Sequence, residues 1–302
     1  MKFTAIFAND ENDEWSTPLA IIKEFEFRGW ETEIISIGSN KIGIYHDSNL
    51  KTFIQQNKPT DIIMLFDWGR FDSKWLDKRL NSNAFWIQES GDDPQNFDRN
   101  FKKSHKFDMI LTPDYDSYLE YKKRDRPAYW QTHFADTRTQ FNIQHQKPEF
   151  VAVTTRGIGN SNFLDTITAH SNGAVGNKNG MNSVKHTTFL NKGLMVLQNS
   201  RWGEITRRIF EGMACGKMVL TDRLNDSKKL QELFTDKKDI VLYDDMVDCI
   251  NKMNYYKEHN KERDLIMKAG FSNVVKYHTE RNRTDFIIKK FKEWKLDTPQ
   301  KT

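Results

Sequence analysis

Arg207, Arg208 and Glu211 open a short run, TRRIFEGMACG, whose residue types and spacing suit the binding of a phosphorylated ligand. Ile209, Phe210, Met213 and Ala214 fall on one helical face and go inward, which gathers the arginines and the glutamate on the first turns. Backbone N–H groups without intrahelical partners and the helix dipole favour an anion there. Guanidinium groups match diphosphate oxygens, and a carboxylate one turn in can accept two hydrogen bonds from a vicinal diol such as a ribose. The same spacing describes an ordinary i,i+4 ion pair between Arg207 and Glu211 on an amphipathic helix, and spacing alone does not choose.

The elements around these residues follow from local chemistry. Thr206 is placed to cap the helix with its side chain, and Gly216 to end it in a left-handed turn. Lys217–Thr221 then reads as a buried strand bounded by Asp222 and Arg223, and Leu194–Leu197 as the strand leading into Asn199. Upstream, a strand over 150–154 runs into Arg156, Gly157 and Gly159 and a helix over 160–169, a second place for an anion unless Arg156 is a solvated loop arginine. Residues 173–183, rich in Gly and Asn, read as a mobile loop, and 227–234 as a helix.

The first half begins β-loop-α-β, with strands over 3–8 and 31–37 about a helix over 16–28. No GxGxxG follows the first strand; its loop is acidic, with Asp10, Glu11, Asp13 and Glu14. Further strands are expected over 62–66, 84–88, 109–112 and 128–131. The second of these runs into Glu89, Asp92, Asp93 and Pro94. Strand-end carboxylates of an open α/β sheet face its ligand crevice, where one can deprotonate an acceptor hydroxyl, although Asp92 and Asp93 equally suit the cap of a following turn. His133 and Asp136 close this half. Asp114 and Asp116 have DxD spacing, but a helix cap and first-turn acid beside Pro113 is the simpler reading of that pair.

The chain has 302 residues, enough for two domains, and its 37% apolar and 29% charged content describes a globular protein with a polar surface. A net charge of +4, with signs interleaved, argues only weakly for a polyanionic partner. No apolar run is long enough to span a bilayer and the N-terminus reads as a strand, so a cytoplasmic protein is expected. Two cysteines, Cys215 and Cys249, give neither a disulfide framework nor a metal-binding spacing.

Arg208, Phe210, Glu211, Ala214, Cys215, Gly216 and Asp222 together resemble the C-terminal signature of GT-B glycosyltransferases of the group-1 type, in particular the spore-maturation (CgeB-like) family. The resemblance implies an α/β GT-B fold, two Rossmann-like domains facing across a cleft: residues 1–137 for the acceptor, a linker over 138–149, residues 150–285 for the nucleotide-sugar, and a C-terminal helix over 286–302 crossing back to the first domain. It implies a nucleoside-diphosphate sugar donor, UDP- or GDP-linked, bound by Arg156, Asn199, Arg207, Arg208 and Glu211, with Glu211 on the ribose. Asp92, Asp93, Glu89 and His133 become candidates for acceptor activation, and neither metal nor further cofactor is expected. His278, Thr279, Arg281 and Arg283 fit the segment that precedes the family's last helix. Many retaining members carry a glutamate eight positions before the ribose glutamate; here that position is Gly203, with Glu204 next to it, so stereochemistry stays open. The acceptor is open among glycan, protein, small molecule and modified DNA base, with nucleic acid not favoured. An epimerase or hydrolase of the same fold, or a binding protein without turnover, are the alternatives.

Overall fold

The computed structural model describes residues 1–8, 16–39, 44–45, 48–66, 74, 76, 83–143, 150–153, 163, 166, 173–175, 182–200 and 202–297. Arg156, Gly157 and Gly159, the acidic loop after the first strand and most of the helix expected over 160–169 lie outside the described residues. The chain divides into two compact units, Met1–Thr132 with Glu280–Thr302, and His133–Thr279.

In the first unit the chain runs β1 (Lys2–Phe7), α1 (Thr17–Phe27), β2 (Glu31–Ser36), a short pair β3 (Gly38–Ser39) and β4 (Ile44–Tyr45), α2 (Ser48–Gln56), β5 (Ile62–Phe66), β6 (Phe85–Glu89), α3 (Phe97–Ser104), β7 (Met109–Thr112), α4 (Tyr115–Lys123) and β8 (Ala128–Trp130). The main sheet has six strands in the order β2-β1-β5-β6-β7-β8, every pair parallel. Every residue of β5 and β7 is buried, as continuous apolar runs in a two-faced parallel sheet require. The order reverses between β1 and β5, where such sheets place their ligand crevice at the carboxyl ends of the strands. Ile6, Ile35, Phe53, Leu65 and Trp86 lie in the core of one face.

The second unit runs β9 (Phe150–Val153), β10 (Gly173–Val175), α5 (Ser183–Lys192), β11 (Gly193–Gln198), α6 (Arg207–Ala214), β12 (Val219–Asp222), α7 (Leu230–Leu233), β13 (Val241–Tyr243), α8 (Met246–Glu258) and α9 (Asn260–Tyr277). Its five parallel strands lie in the order β10-β9-β11-β12-β13, with the reversal between β9 and β11. Two expectations are corrected here. Gly173–Val175, read as loop, pairs with β9 as a strand, and the helix expected over 227–234 is a 3-10 turn, Asp226–Lys228, broken from α7 by Lys229 in the left-handed region at φ 61°. Two residues of the stretch over 138–149 bond to α5: Ile143 N–H donates to Asn191 Oδ1 at 2.7 Å, and Asn191 Nδ2 donates to the Phe141 carbonyl at 2.9 Å.

The last helix, α10 (Glu280–Asp297), returns to the first unit and packs on α1. Phe291 is 2% exposed, its ring 6.1 Å from that of Trp30 and 6.2 Å from that of Phe85. Buried Arg283 donates from Nε to the Thr132 carbonyl at 3.0 Å and from a terminal nitrogen to Thr132 Oγ1 at 2.8 Å. Among the described residues no helix is long and apolar enough to cross a membrane.

Candidate functional site

In the second unit the carboxyl ends of β11, β12 and β13 lie side by side, because Gln198 pairs with Thr221 and Asp222 with Tyr243 in parallel register. The polar residues that close these apolar strands hold one another. Ser200 donates its N–H to Asp222 Oδ1 at 2.8 Å and its hydroxyl to the other carboxylate oxygen. Asn199 Nδ2 donates to the Tyr243 hydroxyl at 2.9 Å, which in turn donates to the Gln198 carbonyl at 2.9 Å. Arg208 donates to Gln198 Oε1 at 3.4 Å, so the side chain leaving α6 meets the end of β11. Burial, and then the Asp222 charge, push the Tyr243 phenol upward, which keeps it a neutral donor.

Helix α6 is set close on this sheet by Gly212, where a Cβ would lie 2.9 Å from Val219 Cγ2 and 3.2 Å from Val196. It ends as the sequence predicts, with Gly216 at φ +65°. Its start differs from the sequence reading. Thr206 occupies the N-cap in an extended conformation, yet its side chain makes no capping bond, and its buried hydroxyl has no partner among the described residues. That leaves the Thr206 hydroxyl beside the first turn, at the positive end of the helix.

Arg207 Nε lies 3.0 Å from Glu211 Oε1, with the two side chains 14% and 1% exposed. The i,i+4 pair is therefore real, but it is buried rather than solvated. The Arg207 guanidinium also stands 5.9 Å above the Phe134 ring. The Glu211 carboxylate lies deep beside its arginine, where the attraction between opposite charges is far stronger than on a wet surface. Cys215, one turn on, is fully buried; burial first, and then the Glu211 charge, push its thiol up to about 12, so it is no nucleophile. Gly203 is left-handed at φ +68°, a conformation that resists any side chain, and the Glu204 carboxylate accepts the Trp202 N–H at 2.6 Å.

His133 is half-buried at the start of this unit. Asp136 beyond it is spent locally, accepting from Arg138 Nε at 2.9 Å and from Arg138 N–H at 3.2 Å. His278 packs its ring between Phe210 and Phe234, centroids 5.3 and 5.5 Å away.

In the first unit the loop after β6 separates the three candidate carboxylates. Glu89 ends the strand half-buried, opposite Phe66 at the end of β5, and folds over Gly91, where both its oxygens lie 2.9 Å from the place of a Cβ. Asp92 is exposed. Asp93 is 4% exposed and spent inside, accepting from Asn100 Nδ2 at 2.8 Å and from Thr112 Oγ1 at 2.9 Å. It caps no helix, since the N-cap of α3 is Asn96. Asp114 does cap one, accepting the Ser117 N–H at 2.9 Å, so the DxD pair is a helix start. Sequence reasoning missed the strand-end set Gln198, Ser200, Tyr243 and the Thr206 hydroxyl; a polar residue closing an apolar run, as in GLMVLQ and VLY, was the available signal.

Residues 161–289 match the family model described as glycosyl transferase-like. No curated protein matches the chain in sequence. Sucrose-phosphate synthase from Thermosynechococcus elongatus is similar in structure at TM-score 0.71 and 9% identity, covering 99% of this chain and 100% of that one. HepE from Anabaena, solved with UDP-glucose, gives 0.64 at 10% identity over 96% of this chain and 100% of that one. MnaA from S. aureus, solved with UDP, gives 0.63 at 10% identity over 100% and 98%. The chain has the GT-B fold, with a glycosyl transferase-like domain in its second half.

Proposed function

We propose that this GT-B chain is a glycosyltransferase that moves a sugar from a nucleoside-diphosphate sugar, UDP-linked in the first instance, to an acceptor hydroxyl. The second unit takes the donor and the first the acceptor. The observation that carries the reading is the buried Arg207–Glu211 pair on α6, the helix that follows the strand end beside the β9/β11 reversal. Glu211, fixed by Arg207, accepts the ribose hydroxyls. Arg208, the Thr206 hydroxyl and the first N–H groups of α6 hold the diphosphate, joined by Asn199 and Arg156. Two of the similar structures were solved with UDP or UDP-glucose, which favours a uridine donor.

As the bond from the anomeric carbon to the diphosphate breaks, its electron pair stays on the departing phosphate. The cationic and N–H groups stabilise that charge by position, so no metal is required. The acceptor hydroxyl bonds to the anomeric carbon and gives up its proton. Glu89 or Asp92 suits that proton better than Asp93, whose two oxygens are already engaged. His133 remains a further candidate. Nucleotide-sugars are cytoplasmic metabolites, which agrees with two buried free thiols. A second reading, binding without turnover, is favoured by Gly203 at the place of the upstream glutamate and by Glu204 being engaged with Trp202.

The test is a metal-free thermal-shift panel of UDP, GDP and their sugar conjugates on the wild type and on Glu211→Ala. A donor at about a hundred times its Kd stabilises the native state by about 2.7 kcal/mol. One nucleotide class should shift the wild type and not the variant; no shift in either, or equal shifts, contradicts the proposal.

A further inference from the structure

Gln198 closes the apolar strand β11 and is 1% exposed. An amide set so deep is stable only when its polar atoms are engaged, and here both ends are. Nε2 donates to the Asn199 carbonyl at 2.6 Å, and Oε1 accepts from a terminal nitrogen of Arg208 at 3.4 Å. These partners fix which way the amide faces. Turned over, it would set its oxygen against the Asn199 carbonyl and its N–H groups against the guanidinium. The main chain of the same residue is held as well, because its carbonyl accepts at 2.9 Å from the hydroxyl of Tyr243, two strands away on β13.

We propose, on the reading that this site takes a nucleoside diphosphate, that Gln198 is a positioning residue: it aims Arg208 at the diphosphate. The two arginines of α6 are oriented by different chemistry. Arg207 lies against a carboxylate, Glu211 Oε1, at 3.0 Å, whereas Arg208 leans on a neutral amide. A carboxylate offsets the charge of the guanidinium it holds, while an amide takes up one N–H and leaves that charge in place for an anion.

The gain is one of order. An arginine spread over many rotamers must be ordered when it binds, and one already leaning on a fixed acceptor has lost part of that freedom beforehand. At 3.4 Å the contact is longer than an ordinary N–H···O bond, so it guides the guanidinium and yields to a phosphate oxygen at normal distance. With 1% of its surface exposed, Gln198 has almost nothing to offer a ligand directly and acts through Arg208.

The experiment is calorimetric titration of UDP and of uridine into the full chain: wild type, Gln198→Met, Arg208→Ala and the double variant. Methionine keeps the length of the side chain and removes both polar ends. Gln198→Met should weaken UDP about fivefold and leave uridine unchanged. In the Arg208→Ala background the same substitution should change UDP affinity by less than about twofold. Should Gln198→Met fail to fold, the wild type alone decides: the Gln198 side-chain amide resonances should move on adding UDP and stay in place on adding uridine. Equal losses in the two backgrounds, an equal loss for uridine, or amide resonances that answer uridine as they answer UDP would overturn the assignment while leaving the nucleotide site standing. A wild type that binds no UDP would remove that site, and the role of Gln198 with it.

Discussion

Arg207 and Arg208 are neighbours with different work, and their substitution should separate stability from binding. Arg207 lies against a carboxylate that is 1% exposed. Arg207→Ala leaves that buried charge without its guanidinium and should lower unfolding free energy by about 3 kcal/mol, measured by denaturant titration. Arg208, half-buried, makes a long hydrogen bond to Gln198. Arg208→Ala should cost less than about 1 kcal/mol of stability and weaken nucleoside-diphosphate binding about tenfold, through a lost charge-assisted bond. Calorimetric titration with UDP and with uridine checks the second point: uridine should bind both proteins alike. The residue types and their spacing were legible in the sequence, because the inward stripe of Ile209, Phe210 and Met213 fixes which face is left. Asp93 was not legible. Its partners Asn100 and Thr112 lie 7 and 19 residues away, and nothing local distinguishes a carboxylate pinned inside from one facing a substrate.

At the scale of elements, α6 has to lie low on β11 and β12 to bring its first turn to the strand ends. Gly212 permits this. Gly212→Ala places a methyl 2.9 Å from Val219 and should cost about 2 kcal/mol by overpacking, with weaker nucleotide binding as the helix lifts; denaturant midpoints and the UDP titration read both effects. The elements written plainly in the chain were those with unbroken apolar runs or strong caps: β5 and β7 have the predicted boundaries, and α4 starts at the predicted cap, Asp114. Helices α2, α3 and α5 were passed over; α2 buries Leu50, Phe53 and Ile54, an apolar stripe that was there to be read, while the buried faces of the other two show why they were missed. α3 buries Asn100, Lys103 and Ser104, and α5 buries Ser183, His186, Thr187 and Asn191 with Leu190 as its one buried apolar residue, so neither shows the apolar stripe by which a helix is read. β10 is only Gly173–Val175, a span whose glycine and flanking polar residues signal a turn until a neighbouring strand pairs with it.

For the whole molecule, the first unit is incomplete without the chain's last helix. Phe291 is 2% exposed, Trp294 lies 5.3 Å from Phe85, and buried Arg283, brought down to about 10 by desolvation, spends its hydrogen bonds on Thr132. Truncation after Thr279 should leave this unit open to limited proteolysis while the second unit stays resistant; equal resistance of both would show that α10 is not part of the fold's core. The two-sheet architecture was readable because each half repeats the β-loop-α-β rhythm. The division at 132/133 was less readable than the polar stretch over 138–149, because polarity marks what is hydrated rather than what packs, and 133–143 packs on the second unit. The central claim, that Glu211 holds the ribose of a nucleotide donor, is tested most directly by titrating UDP and 2′-deoxy-UDP into wild type and Glu211→Ala. The wild type should lose about 1.5–3 kcal/mol on removal of the hydroxyl, and the variant should bind the two ligands equally. The same preference for UDP in both proteins would contradict the account.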